Sequence, residues 1–201
     1  MDPFLFHLNK ALVSEDEVKG KSILEVGSYI IGVNGSFRSN FTVFNPSEYI
    51  GIDITSGPGV DMICDVTDIL NKFGPERFDI IVCTEVIEHV RDWRTAILNM
   101  MQVLKLNGII YLTSRSKGFG IHSYPSDYWR YEIEDIREIF KEFEIQVLHK
   151  DKFQNDHFGF FLKAVKRNGA LPDLTNIALY NINTDPKQGL ENNNIRRTLT
   201  Q

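Results

Sequence analysis

Short apolar runs alternate with polar or helix-like segments from residue 22 to residue 166, and this alternation constrains the chain more than any other feature. The runs are SILEV (22–26), EYIGIDI (48–54), VDMIC (60–64), FDIIVC (78–83), GIIYLTS (108–114), EIQVLHK (144–150) and FFLKAVK (160–166). Each is β-branched or apolar and is bounded by Gly, Pro or Asp, as strands are. The first five are almost continuously apolar, which suits strands covered on both faces. Between Asp92 and Leu106, the residues Trp93, Ile97, Met100 and Leu104 recur at helical spacing, joined by Ala96 and Val103. Asp92 can cap the start of that helix and Asn107-Gly108 can end it. A second helix is expected over Ile133–Phe143, with Ile133, Ile136, Phe140 and Phe143 as its apolar stripe, and a third over Phe4–Val13. Alternating strands and helices imply a three-layer α/β fold with a mostly parallel sheet.

Length and charge narrow the field. A chain of 201 residues holds one domain of good size, large enough to bury a core without staples. A net charge of −5 argues against a protein whose main task is gripping a phosphate backbone. Cys64 and Cys83 lie in apolar runs without metal-ligand spacing and read as buried, reduced packing residues, consistent with the cytoplasm. The N-terminal stretch is too acidic and too short in apolar run for a signal peptide, and no run approaches the ~20 residues of a membrane span. Beyond Asn168 the chain is Asn-rich and loses periodicity, so it reads as an extension or tail with a short element at Ile177–Ile182.

In an open parallel sheet, ligands bind at the carboxyl ends of the strands. The first strand runs into Glu25-Val26-Gly27-Ser28, the second ends at Asp53-Ile54, the third at Asp65-Val66 and the fourth at Thr84-Glu85. Acids at neighbouring strand ends form a repeated pattern. Gly27 lets the backbone turn tightly and approach a ligand. The G-x-G-x-x-G fingerprint of dinucleotide-binding proteins is absent, and Glu25 would repel a pyrophosphate. A nicotinamide oxidoreductase is therefore disfavoured. The site suits a ligand with a ribose, an adenine and a cationic head.

These motifs resemble those of class I S-adenosylmethionine (SAM)-dependent methyltransferases, in particular small bacterial ones. ILEVGS, YIGIDI, CDVTDI, FDIIVCTEVIEHV and VLKLNGIIYLTS follow one another in the family's order over about residues 20–166. The resemblance implies a Rossmann-like seven-stranded sheet with helices on both faces, and a domain over 21–167 flanked by an N-terminal helical cover (1–20) and a C-terminal extension (168–201). It implies SAM as cofactor. Gly27 and Ser28 would line its methionine and ribose part, Asp53 would bind the ribose hydroxyls, and Ile54 would pack on the adenine. Asp65 would face the adenine amino group, with Val66 and Thr84 alongside, and Glu25 would sit near the methionine amino end. The family's first motif has further glycines close behind the first; here Tyr29-Ile30-Ile31 intervenes, which puts the path of that loop and the role of Asn34-Gly35-Ser36 in question. Asp65 and Asp68 can equally form a simple capping loop.

Two further clusters carry chemistry. If the chain turns helical after the fourth strand, Glu85 lies one turn from Glu88 and His89. With His122 they can hold a divalent cation; a similar E-x-x-E-H stretch occurs in small-RNA 2′-O-methyltransferases and some quinone-biosynthesis O-methyltransferases, where it looks like a metal site, and in many relatives without metal. His89, His122 and Glu85 are also the candidates for the base that takes a proton from an alcohol acceptor, with His122 or His89 preferred. The loop His122–Tyr131 is dense in aromatic and polar residues. Tyr124, Asp127, Trp129 and Arg130 are its candidate substrate contacts, and Tyr128, Trp129 and Tyr131 can alternatively serve as packing. The expected reaction is O-methylation of a small hydroxylated acceptor such as a sugar or glycan precursor, with a homodimer as an allowed assembly. A metal-dependent RNA 2′-O-methyltransferase and a non-catalytic SAM-fold partner subunit are the competing readings.

Overall fold

The computed structural model describes residues 11–30, 37–122, 125–153 and 156–183. Most of the helix expected over Phe4–Val13, the loop Asn34-Gly35-Ser36, Tyr124 and the chain from residue 184 onward lie outside them. The strands are β1 (Ser22–Val26), β2 (Glu48–Asp53), β3 (Met62–Ile63), β4 (Phe78–Thr84), β5 (Leu104–Arg115), β6 (Trp129–Arg130), β7 (Glu144–Phe153), β8 (Asp156–Val165) and β9 (Tyr180–Asn181). The helices are α1 (Glu15–Val18), α2 (Arg38–Thr42), α3 (Ile69–Phe73), α4 (Trp93–Val103) and α5 (Ile133–Ile139).

Seven strands form one sheet in the order β3-β2-β1-β4-β5-β8-β7. β3, β2, β1, β4 and β5 pair in parallel, whereas β8 runs antiparallel to both β5 and β7. The expected mostly parallel sheet is thus observed, and β8 is its one reversed strand because β7 and β8 form a hairpin closed near Phe153 and Asp156. The side chains of β1 alternate between two cores. Leu24 and Val26 join Ile81, Cys83, Ile110 and Leu112 beneath α4 and α5. Ile23 joins Ile80, Val82, Tyr111 and Phe161 beneath Val18, Phe37 and Phe41 of the other layer. Period-two strands sandwiched by helices explain why the runs lack polar alternation. Cys83 is buried as expected, but Cys64, at the end of the edge strand β3, is only half-buried; both are free thiols.

Two helices end earlier than their periodicity implies. Asp92 caps α4 as expected, accepting from the Thr95 amide at 3.2 Å. The helix stops at Val103, not Asn107-Gly108, because Leu104 turns extended and pairs with Phe78 of β4. Lys166 reaches in from the end of β8 to donate to the carbonyls of Met101 and Leu104, both at 2.9 Å, so a cation from a distant strand closes the helix. Asn107 takes a left-handed conformation (φ 61°) inside the extended segment. α5 ends at Ile139, although Phe140 and Phe143 continue to pack against each other with ring centroids 5.5 Å apart. Tertiary pairing overrides a helical spacing that depended on one or two terminal residues.

The C-terminal extension is anchored on the same core. Leu174 is buried, and Arg94 on α4 donates to the carbonyls of Leu174 (2.9 Å) and Ile177 (2.6 Å). The element expected within Ile177–Ile182 is β9, which pairs antiparallel with β6. At the other end of the chain, Lys163 of β8 ties α1 to the sheet through Glu17 (2.6 Å) and the Leu12 carbonyl (2.9 Å). No helix among the described residues is long and apolar enough to cross a membrane.

Candidate functional site

The carboxyl end of β1 is shaped by glycines. Gly27 has φ +76°, and a Cβ there would lie 2.1 Å from Cγ2 of Val86. The amides of Gly27 and Ser28 both donate to the Ile52 carbonyl, at 2.9 and 3.0 Å, which draws the loop over the end of β2. Ser28 is buried against Gly51, where a Cβ would come within 2.7 Å of its side chain. The loop from β2 to β3 supplies Gly59, with φ +86°, stacked on the Ser28 carbonyl. Arg38 and Asp61 hold this loop: they pair at 2.6 Å, Arg38 also donates to the Gly59 carbonyl, and Asp61 accepts the Gly51 amide at 2.7 Å. Sequence reasoning passed over Gly59, Arg38 and Asp61. The glycine pair in SGPG was their only legible trace.

The acids at the strand ends differ in setting. Asp53 accepts the Tyr29 amide at 3.3 Å through one oxygen and the Thr55 amide at 3.0 Å through the other, which fixes its carboxylate beside the Gly27 loop. Ile54 follows, half exposed at 51%. Asp65 caps the short 3₁₀ turn Val66–Asp68, accepting from the Thr67 amide (2.8 Å) and hydroxyl (2.7 Å). The capping role is therefore realised in the structure, and Val66 is buried behind it. Glu25 is buried within β1, and burial followed by the Glu25 charge pushes the Tyr49 hydroxyl well above its ordinary range.

The stretch Thr84–His89 does not continue as the helix that the E-x-x-E-H spacing suggests. Glu85 leaves β4 with φ +58°, and only Ile87–His89 forms a 3₁₀ turn. Glu85 is thereby taken out of helical register with Glu88 and His89, although the Glu88 charge still reaches it. Its carboxylate accepts from the Thr113 hydroxyl at 2.8 Å and pairs with Arg115, which in turn reaches Asp151 at 3.3 Å and stacks over Phe119 at 4.3 Å. Burial raises the Glu85 carboxyl while Arg115 lowers it. Among the described residues the ligand atoms that converge are those of Glu88, His89 and His122, whereas Glu85 is paired with Arg115. Thr84 is buried beside Thr113, its neighbour on β5.

Glu88, His89 and His122 do converge. Glu88 is fully buried; one carboxylate oxygen accepts from the Ser114 hydroxyl at 2.7 Å, while the other, Oε1, faces His122 Nε2 at 3.5 Å and His89 Nε2 at 3.8 Å. That inner oxygen has no hydrogen bond. The two rings meet edge to face with centroids 4.8 Å apart. His89 Nδ1 lies 2.5 Å from the Ser126 carbonyl and so carries a proton there. His122 Nδ1 lies 3.2 Å from Asp127, which also accepts the His122 amide at 2.9 Å. Burial pulls the His122 imidazole down, but Asp127 and Glu88 outweigh it and hold it up at about 9. The imidazolium therefore bridges two carboxylates at neutral pH.

Arg130 and Asp127 were expected to touch substrate, and the structure places both inside. Arg130 is fully buried and makes five hydrogen bonds: two to the Asp127 carboxylate at 2.6 and 2.7 Å, and one each to the carbonyls of Phe119, Gly120 and Trp129. Every guanidinium N–H is thereby used. Arg130 fixes Asp127, and Asp127 fixes His122. Tyr131 is likewise buried, its hydroxyl donating to the Ile87 carbonyl at 3.1 Å. Trp129 stays half-exposed, with its indole N–H on the carbonyls of Val90 (3.0 Å) and Arg91 (3.2 Å). The Gly27 loop and this cluster adjoin, because Val86 of the Glu85–His89 stretch is the residue that packs on Gly27.

The arrangement matches known proteins at three levels. Residues 4–158 match the family model described as a methyltransferase domain. A ubiquinone biosynthesis O-methyltransferase of Coxiella burnetii is 25% identical over 128 residues, covering 57% of this chain and 52% of that protein, so the chain spans about half the length of the curated relatives it matches. An S-adenosylmethionine-dependent methyltransferase of Mesorhizobium loti superposes with a TM-score of 0.57 at 13% identity, covering 79% of this chain and 96% of the other. The Burkholderia thailandensis 1,6-didemethyltoxoflavin-N1-methyltransferase, solved with S-adenosylhomocysteine, gives 0.61 at 12% identity, covering 83% and 80%. At these identities the structural likeness speaks for the fold alone, while the family match spans most of the chain. The chain belongs to the methyltransferase-domain family and has the fold of S-adenosylmethionine-dependent methyltransferases.

Proposed function

We propose that this protein transfers a methyl group from SAM to a hydroxyl of a small acceptor such as a sugar or glycan precursor. The observation that carries the reading is the cluster of Glu88, His89 and His122 beside the Gly27 loop. The sulfonium donor is already activated, so the protein mainly aligns donor and acceptor. Gly27, Ser28 and Asp53 would hold the ribose and methionine part, Ile54 and Val66 the adenine, with Asp65 at its amino group and Thr84 and Glu25 near the methionine end. An alcohol additionally gains from losing its proton during attack. His89 suits that task, since the contact of its Nδ1 with the Ser126 carbonyl aims Nε2 at the cluster. His122, charged at neutral pH, instead faces the inner Glu88 oxygen as an ion pair and keeps Glu88 ionised. Label from methyl-tritiated SAM should reach sugars, nucleotide-sugars or phenols, and His89→Gln should lower kcat more than KM. Donor binding with no transfer to any of these acceptors would sink the substrate assignment.

A divalent cation is the second reading, favoured by the inner Glu88 oxygen and the two Nε2 atoms, which all lie within 4.8 Å of one another. The donor set fits: a buried carboxylate oxygen without a hydrogen bond and two imidazoles, one aimed by the Ser126 carbonyl on its Nδ1 and the other with Asp127 in ion-pair range of its Nδ1. Glu88, His89 and His122 would hold the ion and Glu85 would not. Two nitrogens and one oxygen suit a transition metal or zinc better than magnesium. The ion would acidify a bound acceptor hydroxyl. His122 must first release its proton, so calorimetry in buffers of different ionisation enthalpy should register proton release upon metal binding, absent in Glu88→Ala.

A further inference from the structure

Beside the histidine cluster lies an open groove of about 680 Å³, walled by the loop Pro125–Trp129 on one side and by Asn181 and Asn183 on the other. That is room for a sugar or a sugar with a small substituent. The second wall belongs to the C-terminal extension, beyond residue 158 where the family match ends. It is tied down by three contacts: the β6–β9 pairing, the Ile182 amide on the Tyr128 carbonyl at 2.9 Å, and the Asn183 side-chain amide on the Asp127 carbonyl at 2.6 Å. The first wall is joined to the reacting groups, since the Ser126 carbonyl holds His89 and the Tyr128 amide holds the Glu88 carbonyl at 2.9 Å.

The lining has a definite chemistry. Its charged residues are Arg91 and Asp127. The Asp127 carboxylate is consumed by Arg130 and His122. The Arg91 guanidinium makes no ion pair among the described residues, and neighbouring Asp92 is occupied with its helix cap. The groove is thus locally positive on a chain of net charge −5. Trp129, pinned through its indole N–H to the carbonyls of Val90 and Arg91, brings a half-exposed aromatic ring to the groove that Arg91 also lines. An aromatic face stacks on the apolar side of a sugar ring, amide side chains such as that of Asn183 bond its hydroxyls, and an arginine takes a carboxylate or phosphate in two-pronged fashion. The geometry points to this groove as the subsite for an anionic sugar, a ring bearing a carboxylate or a phosphate, with the C-terminal extension setting acceptor specificity. This rests on the methyl-transfer reading of the adjoining cluster and adds the acceptor's charge class.

The test uses the full chain saturated with S-adenosylhomocysteine and follows the Trp129 indole N–H resonance, assigned with Trp129→Phe. Glucuronate, glucose 6-phosphate and neutral glucose are the probes. The two anionic sugars should shift the resonance saturably, with at least tenfold lower Kd than glucose. Arg91→Glu should remove that preference and Arg91→Lys should keep most of it, both with unchanged melting temperature. A response to glucuronate alone or to the phosphate alone identifies the anion and upholds the subsite. Equal affinity for all three probes, a preference that survives Arg91→Glu, or no response with S-adenosylhomocysteine bound would overturn it while leaving methyl transfer standing. Failure of S-adenosylhomocysteine itself to bind would overturn the underlying reading first.

Discussion

The His122 imidazolium makes a prediction that needs no knowledge of the acceptor. The ring stands between the carboxylates of Asp127 and Glu88, at 3.2 and 3.5 Å, and its proton affinity rises from an ordinary 6.5 to about 9. At about 1.4 kcal/mol for each tenfold change in proton affinity, this corresponds to about 3 kcal/mol of folding stability. The ring is mostly buried, with 30% of its side chain exposed, so only a modest discount for solvent screening applies. The sign follows from linkage. A group whose pKa is higher in the folded state binds its proton more tightly there, so the stabilisation is fully present below pH 6.5 and is lost as pH rises through about 9. The perturbation is His122→Gln, which keeps a polar side chain but cannot titrate. Urea unfolding with a chelator present should show the wild type losing about 2–3 kcal/mol relative to the variant between pH 6 and pH 10. The His122 ring carbon proton should titrate near 9 by NMR. Parallel stability curves for the two proteins, or a His122 midpoint at or below 6.5, would refute the argument.

Three other perturbations probe the scaffold of the site. Gly27→Ala meets both a left-handed backbone and Val86 at 2.1 Å; it should cost about 1–3 kcal/mol in thermal or urea unfolding and at least tenfold in SAM affinity by calorimetry. Asp53→Ala removes the acceptor for the Tyr29 and Thr55 amides, and should weaken SAM by at least tenfold while the partly exposed site keeps the loss of stability near 1 kcal/mol. Arg115→Met leaves the buried acids Glu85 and Asp151 without their shared cation, so a loss of about 3–5 kcal/mol is expected, growing as pH rises and the acids ionise. A loss below 1 kcal/mol at pH 8 would mean that the pair with Arg115 is not the reason Glu85 is withheld.

Much of the fold was legible because it is written in local pattern. Each expected strand run holds an observed strand of the sheet, since a parallel sheet covered on both faces demands continuous apolar runs that nothing else in the chain imitates. The glycine and acid at the ends of β1 and β2 were legible for a similar reason: Gly27 serves a backbone conformation, and Asp53 closes a strand. The histidine cluster was legible only as a list of residue types. His89 and His122 meet from separate strand ends, and spacing along the chain does not encode a distance across the sheet.

What the sequence determined by itself is the class of architecture and the tight turn at Gly27, because short-range steric and hydrophobic rules decide them. Tertiary structure alone decided which charges are free. Glu85, Asp127 and Arg130 have the same composition-level claim to chemistry as Glu88 and His89. Asp127 and Arg130 pair with each other, and their further partners His122 and the carbonyls of Phe119 and Gly120, like Arg115 for Glu85, come from other elements or from the far end of a loop. Desolvation forces a buried charge to be paired, and which charge finds a partner depends on how the strands are ordered in space. Arg91, unremarkable in sequence, becomes notable only because no acid among the described residues pairs with it.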